Sequence, residues 1–340
     1  MFQRLIQALG LIAFAVVLFA VLCEAGLRLA FFHSNDFSME MWKYAVQLKH
    51  TVADPKLSFA HVPNRSAFLM GADIKINSQG QRDNEYSLSK PPNCYRIMML
   101  GDSTTLGWGV RLEDTAAKML ERQLNADGAA GGRRFEVINT GVGNYGTVQE
   151  VTYYETRGRA FHPDMVILVY FINDPELVPT EKKGFLIDRS YLIAFIKSRF
   201  DGLLRRTGSR PTWKQYYASL YDEDFPGLQA CKGALHSLAE LTRSDGSQCL
   251  VAILPELHEI NGPYPFTAEH QKIKNTAVSN HVPVLDLIDG LRNHGPESTL
   301  WVTPQDSHPN AKANNLIAAQ LHDWILNNIN GPDKTLPGGD

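Results

Sequence analysis

The sequence predicts an α/β chain built on a parallel sheet, with an apolar helix ahead of it. Three observations carry that expectation. From Tyr95 onward, strand-like and helix-like periodicities alternate, the pattern of a parallel sheet covered on both faces. The run MVILVYF at 165–171 shows no polar alternation, as expected of a strand with both faces buried. Near the amino end, Leu5 to Cys23 contains no charged residue, and Gln7 is its only strongly polar side chain.

As a helix, that apolar segment spans roughly 28 Å, close to the ~30 Å hydrocarbon core of a bilayer. A cleaved signal peptide has an apolar region of only about 7–15 residues, and no good small-x-small site follows here. Leu22 before Cys23 also fits a lipoprotein cleavage box poorly. These features favour an uncleaved signal anchor over 1–32, ahead of a cleaved signal or a buried core helix. Arg4 and the terminal amine favour an inside amino end, with Arg28 on the other flank acting against it. The expectation is a single-pass cell-membrane protein with its body extracytoplasmic, periplasmic or extracellular.

Residues 33–93 are mixed and turn-rich, and read as an extension packed on the main domain. Within them DIKINSQGQRD alternates and then breaks at Ser78-Gln79-Gly80, predicting a short strand and turn, and SKPPN reads as a linker. The main domain runs over 94–330. Its strands are predicted at Arg96–Leu100, Phe135–Asn139, Met165–Phe171, Cys249–Leu254 and Val282–Leu287. Leu112, Ala116, Met119, Leu120 and Leu124 mark one apolar helix face. Further helices are predicted over Thr147–Ala160, Gln229–Arg243 and Ala268–Asn280. A last helix is expected from about Pro309, a residue suited to a first turn, and the tail 331–340 should fray. Ser190–Leu204, with Leu192, Ile196, Phe200 and Leu203 on one face and Lys197, Arg199, Arg205 and Arg206 nearby, reads either as a basic amphipathic helix on a membrane or lid, or as a helix packed on the domain.

Composition narrows the function classes. The chain has 340 residues, 33 Lys plus Arg against 36 Asp plus Glu, and a formal net charge of -3, which gives no general electrostatic reason to bind nucleic acid. Of the four cysteines, Cys23 lies in the apolar segment. Cys231 and Cys249 read as a disulfide in an oxidising compartment or as buried free thiols, with Cys94 left over. No second histidine or carboxylate cluster has convincing metal-ligand spacing.

In an open parallel sheet, sites lie beyond the carboxyl ends of the strands. Four short blocks fall there. Gly101-Asp102-Ser103 follows the first strand, and Asn139-Thr140-Gly141-Val142-Gly143-Asn144-Tyr145-Gly146 contains the end of the second. Asn173-Asp174 follows the third, and Asp306-Ser307-His308-Pro309-Asn310 precedes the last helix. Taken singly, each block reads as a turn, cap or loop. Together they supply a hydroxyl nucleophile, an imidazole base, an orienting carboxylate and donors for an oxyanion.

In these blocks and their order the chain resembles the SGNH, or GDSL-type, hydrolases from about Tyr95 to Ile329. The resemblance implies a flavodoxin-like three-layer α/β/α sandwich with a five-stranded parallel sheet. It implies Ser103 as nucleophile, His308 as general base and Asp306 as its partner. The oxyanion hole is then formed by the Ser103 and Asn144 N–H groups and the Asn173 amide, with no metal or organic cofactor required. Two positions depart from the family pattern. Phe171 stands where the third block usually has glycine, and Asn144 stands at the usual glycine of the oxyanion loop, leaving Gly143 as the alternative donor. Asp102 and Asp174 read as structural residues of their turns, and His258, His270 and His281 match no motif.

The stretch INSQGQRDNEYS followed by YRIMMLGDST is similar to membrane-anchored members often linked to envelope or extracellular polysaccharide machinery. The implied activity is a serine esterase removing an acyl group, with acetyl foremost, from a carbohydrate or similar ester. The alternatives are an O-acyltransferase to a sugar hydroxyl, a lipid esterase, and a non-catalytic glycan-binding envelope protein.

Overall fold

The computed structural model describes residues 1–126, 133–178 and 188–329. Helix α1 (Phe2–Ala30) buries none of its residues. It is long and apolar enough to cross a membrane and fits an anchor or a signal sequence. Helix α2 (Phe37–Gln47) begins where the Asp36 carboxylate accepts from the Met39 N–H at 3.1 Å. Strands β1 (Lys49–Thr51) and β2 (Phe59–His61) pair antiparallel, as do β3 (Ser66–Leu69) and β4 (Ala72–Lys75). The strand expected in DIKINSQGQRD is β4. The turn after it is organised by Asn77, whose Oδ1 accepts from the Gln79 and Gln81 N–H groups.

This amino-terminal stretch shares a core with the strand-end loops. Tyr44, Leu48, Leu69 and Ile74 are buried against Leu106 and Trp108. Arg82 adds a polar staple, donating to the carbonyls of Leu106, Gly107, Asp73 and Val110. Burial lowers its guanidinium to about 10.

The main sheet contains β5 (Cys94–Leu100), β6 (Arg134–Asn139), β7 (Met165–Tyr170), β8 (Gln248–Ile253) and β9 (Val284–Asp286). They are all parallel, in the order β6-β5-β7-β8-β9. Every residue of β7 is buried, as its unbroken apolar run requires. A four-residue helix, α3 (Ser103–Leu106), follows β5. Helices α4 (Ala116–Ala126) and α10 (Ala311–Ile329) pack together, while α5 (Thr147–Thr156), α8 (Pro226–Asp245) and α9 (Thr267–Ser279) form a second row. Right-handed crossovers put the two rows on opposite faces of the sheet. The α/β class, the five parallel strands and the three layers are those expected from the sequence.

Several details differ from expectation. The helix predicted from Leu112 opens as a 3₁₀ turn, Leu112–Asp114, and the one predicted through Ala160 ends at Thr156, with a 3₁₀ turn over Gly158–Phe161. The last strand is three residues long, Val284–Asp286, and pairs with β8. Pro309 does not open the last helix. It closes β11 (Asp306–Pro309), which pairs with β10 (Trp301–Thr303), and Asn310 caps α10 by accepting from the Lys312 and Ala313 N–H groups. Cys231 and Cys249 are both free, so the disulfide reading is corrected. Cys231 sits fully buried on α8 and Cys249 on β8, and burial raises both thiols to about 12.

The segment read as amphipathic forms α6 (Tyr191–Arg206), between β7 and helix α7 (Trp213–Ser219). Glu24 near the end of α1 accepts from Ser190 Oγ and from the Tyr191 and Leu192 N–H groups, which ties α6 to α1. Phe195 and Tyr191 pack on Phe31 and Trp42. Ile196, Phe200 and Leu203 remain exposed. The predicted tail, 331–340, lies outside the described residues.

Candidate active site

The turn after β5 sets the position of Ser103. The Asp102 carboxylate accepts from Thr104 N at 2.7 Å and Thr104 Oγ1 at 2.8 Å, so it caps α3, in keeping with the structural role expected of it. Ser103 is buried and its Oγ lies 2.8 Å from His308 Nε2. His308 Nδ1 lies 2.5 Å from Asp306 Oδ1. Ser103 thus joins Asp306 and His308, about two hundred positions further along the chain, in one hydrogen-bonded succession. Asp306 and His308 come from β11, whose extended backbone leaves two residues spaced i, i+2 on the same side.

The electrostatics of the succession follow from burial and pairing. Burial alone raises the Asp306 carboxyl, but hydrogen bonds and charge attraction from His308 outweigh it and hold the group below the usual carboxylate range. Burial lowers the His308 imidazole, and the Asp306 carboxylate more than reverses this, so its pKa lies above the ordinary value. The second Asp306 oxygen accepts from the Trp108 indole N–H at 3.0 Å. Phe37 of α2 lays its ring 5.6 Å from the His308 ring and 6.4 Å from Trp108.

The three expected oxyanion donors stand at the carboxyl ends of three adjacent strands. Ser103 follows β5, Asn144 follows β6 and Asn173 follows β7. The loop after β6 threads close under the nucleophile turn. A Cβ on Gly141 would lie 2.2 Å from the Leu106 nitrogen and 2.9 Å from the Asp102 carbonyl oxygen, so only glycine fits. Asn144 has φ 65°, a left-handed conformation that Asn tolerates better than most side chains. The Gly143 N–H, the alternative donor, is already committed to Tyr44 Oη at 2.9 Å. Asn173 makes no side-chain hydrogen bond among the described residues, and its Oδ1 is buried without a partner. Its amide is therefore uncommitted. Phe171, at the departure in the third block, is half-buried against the core.

Below the loops lie three buried acids. Burial raises Asp102, Glu150 and Asp174, the last two strongly, and repulsion from the Asp102 carboxylate adds to it at Glu150 and Asp174. Asp174 accepts from Thr147 Oγ1 at 2.7 Å and so joins the Asn173 turn to α5, the fixing role expected of it. His258 pairs with Glu256 at 2.6 Å, and Glu256 also accepts from Ser307 Oγ. His270 pairs with Asp286 on β9. No group of three metal-ligating side chains occurs among the described residues.

Sequence reasoning missed Phe37, Tyr44, Lys49 and Trp108. Trp108 lies inside the block GDSTTLGWGV, but nothing in its spacing signals a bond to a carboxylate 198 positions away. The other three come from the amino-terminal extension, where no motif points to the strand ends. A surface cavity of about 470 Å³, lined by Lys90, Arg159, Asp164, Asp245 and Ser247, borders the amino ends of β7 and β8 and holds none of these residues.

Comparison with known proteins places this geometry in a family. Residues 99–316 match the model of the GDSL-like lipase/acylhydrolase family. No curated protein matches the chain in sequence. Among solved structures, the psychrotrophic esterase EstA of Pseudoalteromonas sp. is 16% identical, with coverage of 69% of this chain and 99% of its own and a TM-score of 0.44. A variant of Axe2, an acetyl-xylooligosaccharide esterase from Geobacillus stearmophilus, is 15% identical over 68% of this chain and 94% of its own, with a TM-score of 0.46. A two-domain esterase active on acetylated mannans is 15% identical over 72% of this chain and 53% of its own, with a TM-score of 0.45. Matched by its family model over residues 99–316, which contain all four strand-end blocks, the chain belongs to the GDSL-like lipase/acylhydrolase family, an esterase family.

Proposed function

We propose that the protein is an extracytoplasmic serine esterase, held at the cell membrane by α1, that removes acyl groups, acetyl foremost, from a carbohydrate or similar ester. The observation that carries the chemistry is the succession Ser103 Oγ, His308 Nε2, His308 Nδ1, Asp306, with contacts of 2.8 and 2.5 Å. Ser103 Oγ attacks the acyl carbonyl while its proton passes to His308 Nε2. The developing oxyanion takes hydrogen bonds from the Ser103 and Asn144 N–H groups and from the Asn173 amide. As the tetrahedral intermediate collapses, the C–O bond to the alcohol breaks and His308 returns its proton to the leaving oxygen. Water then attacks the acyl-Ser103 ester, losing its proton to His308; the bond from the acyl carbon to Ser103 Oγ breaks as His308 returns that proton to Oγ, and free acid departs.

The carbohydrate substrate is what the similarity of residues 76–87 and 95–104 to membrane-anchored relatives implies, and partnership with envelope polysaccharide machinery rests on the same similarity. A second reading, O-acyl transfer to a sugar hydroxyl, is favoured by the Phe37 ring beside His308, since an apolar neighbour at the base disfavours water as acceptor. Incubation with an acyl donor and an oligosaccharide separates the two. Free acid without acylated product supports hydrolysis, and transfer without appreciable free acid overturns it. Fluorophosphonate labelling lost in Ser103→Ala supports an enzyme of either kind. Glycan binding with no labelling of the wild-type protein overturns both.

A further inference from the structure

We propose that Lys49 is a positioning residue of the oxyanion hole, aiming and polarising the Asn144 N–H through the carbonyl of the same peptide unit. The proposal rests on the serine-esterase reading and lies outside the matched family region, since Lys49 precedes residue 99.

The geometry is local and specific. Lys49 Nζ donates to the Gly143 carbonyl oxygen at 2.5 Å and to Asn144 Oδ1 at 3.0 Å. The Gly143 carbonyl and the Asn144 N–H belong to one planar peptide, and in a trans peptide they point in opposite directions. A cation fixed on the oxygen therefore turns the N–H away from itself. It also draws electron density toward the oxygen, which makes the N–H a stronger donor to a developing negative charge. An oxyanion hole gains most from donors already aimed before charge appears.

The preceding peptide is held as firmly. The Gly143 N–H donates to Tyr44 Oη, and Tyr44 Oη lies 2.6 Å from His61 Nε2. His61 Nδ1 bonds the Gly80 carbonyl at 3.1 Å. Tyr44 therefore removes Gly143 from the set of free donors and leaves Asn144 as the candidate donor of this loop. The Lys49 ammonium is itself pinned between two rings, 4.5 Å from the Tyr44 centroid and 4.2 Å from Phe59.

This arrangement also accounts for Asn144, the departure from the family glycine. The left-handed backbone that glycine would supply is retained at φ 65°. The side chain that asparagine adds supplies the second oxygen on which Lys49 rests. Asn144 and Lys49 thus read as a pair, one in the oxyanion loop and one at the start of β1.

The test uses the full-length protein in detergent with an aryl acetate as substrate. Lys49→Met is expected to lower kcat ten- to a hundred-fold with KM within about twofold, and to slow fluorophosphonate labelling of Ser103 by a similar factor. Lys49→Arg is expected to recover most of both. Lys49→Gln keeps a donor but loses the charge, and should fall near Lys49→Met. If Lys49→Met does not fold, the comparison of Lys49→Arg with Lys49→Gln decides. Full kcat in Lys49→Gln, or a loss confined to KM, overturns the proposal. A wild-type protein that labels and turns over while the Lys49 variants match it overturns the Lys49 assignment alone. A wild-type protein without Ser103-dependent labelling or turnover overturns the esterase reading as well.

Discussion

The Trp108 indole N–H donates to Asp306 Oδ2 at 3.0 Å, while the other oxygen of the same carboxylate holds His308 Nδ1 at 2.5 Å. Both carboxylate oxygens are thereby engaged by donors from different parts of the chain. Trp108 itself is fixed in a core shared with Tyr44, Leu69 and Ile74 of the amino-terminal extension. The orientation of the base thus depends on packing that begins well before the family region.

Trp108→Phe keeps the ring in the core and removes the N–H. A hydrogen bond to a charged group contributes about 1.5–3 kcal/mol. The expected result is a fall in kcat/KM of about ten- to a hundred-fold at nearly unchanged KM, read from steady-state kinetics. Unaltered kcat would show that the indole bond does not hold Asp306 for catalysis.

The pH dependence follows from the raised His308 pKa. The imidazole must be neutral to accept the Ser103 proton, so activity rises as pH passes upward through its pKa. The pair with Asp306 places that value above the ordinary imidazole value of about 6.5. Asp306→Asn removes the charge that raises it. The acid limb of the kcat/KM profile should move to lower pH, and kcat should drop by roughly 10⁴-fold, as expected when a serine triad loses its carboxylate.

Stability should fall in acid through His61. Its ring is buried with both nitrogens bonded, and burial, aided by repulsion from Lys49, depresses its pKa to about 3. Between about pH 6.5 and 3, the unfolded chain binds this proton and the folded chain does not, so stability declines as pH is lowered across that window. Thermal melts from pH 7 to 4 should show a steeper loss for the wild-type protein than for His61→Gln. Parallel curves would exclude His61 as the source.

Gly141→Ala tests the close approach under the nucleophile turn. The added methyl would meet backbone atoms at 2.2–2.9 Å, which cannot give way as a flexible side chain would. Overpacking of this kind costs about 1–3 kcal/mol. A lowered Tm together with a loss of activity larger than the loss of folded protein is expected. A variant with wild-type Tm and turnover would show that the loop has room to move.

The strand ends were legible because each follows a short apolar run and carries residue types that turns and chemistry both favour. Asp306 and His308 were legible as a pair because two residues apart on an extended segment share a side. The helix start at Pro309 was misjudged because local preference for proline in a first turn yields to the pairing of Trp301 with Pro309 across β10 and β11. Lys49 and Tyr44 were not legible, since their bonds to Gly143 span 94 and 99 positions and no periodicity encodes contacts of that range.

The sequence by itself determined the layered α/β class, the apolar amino-terminal helix, and which residue types stand at the carboxyl edge of the sheet. Hydrophobic period and motif spacing are local properties of the chain. Only the tertiary structure decided that Ser103, His308 and Asp306 touch in order, that Trp108 completes the carboxylate's bonds, and that Tyr44 and Lys49 hold the loop bearing Asn144. Those relations depend on how separate segments pack against one another, and directional bonds of 2.5–3.0 Å exist only once that packing has been reached.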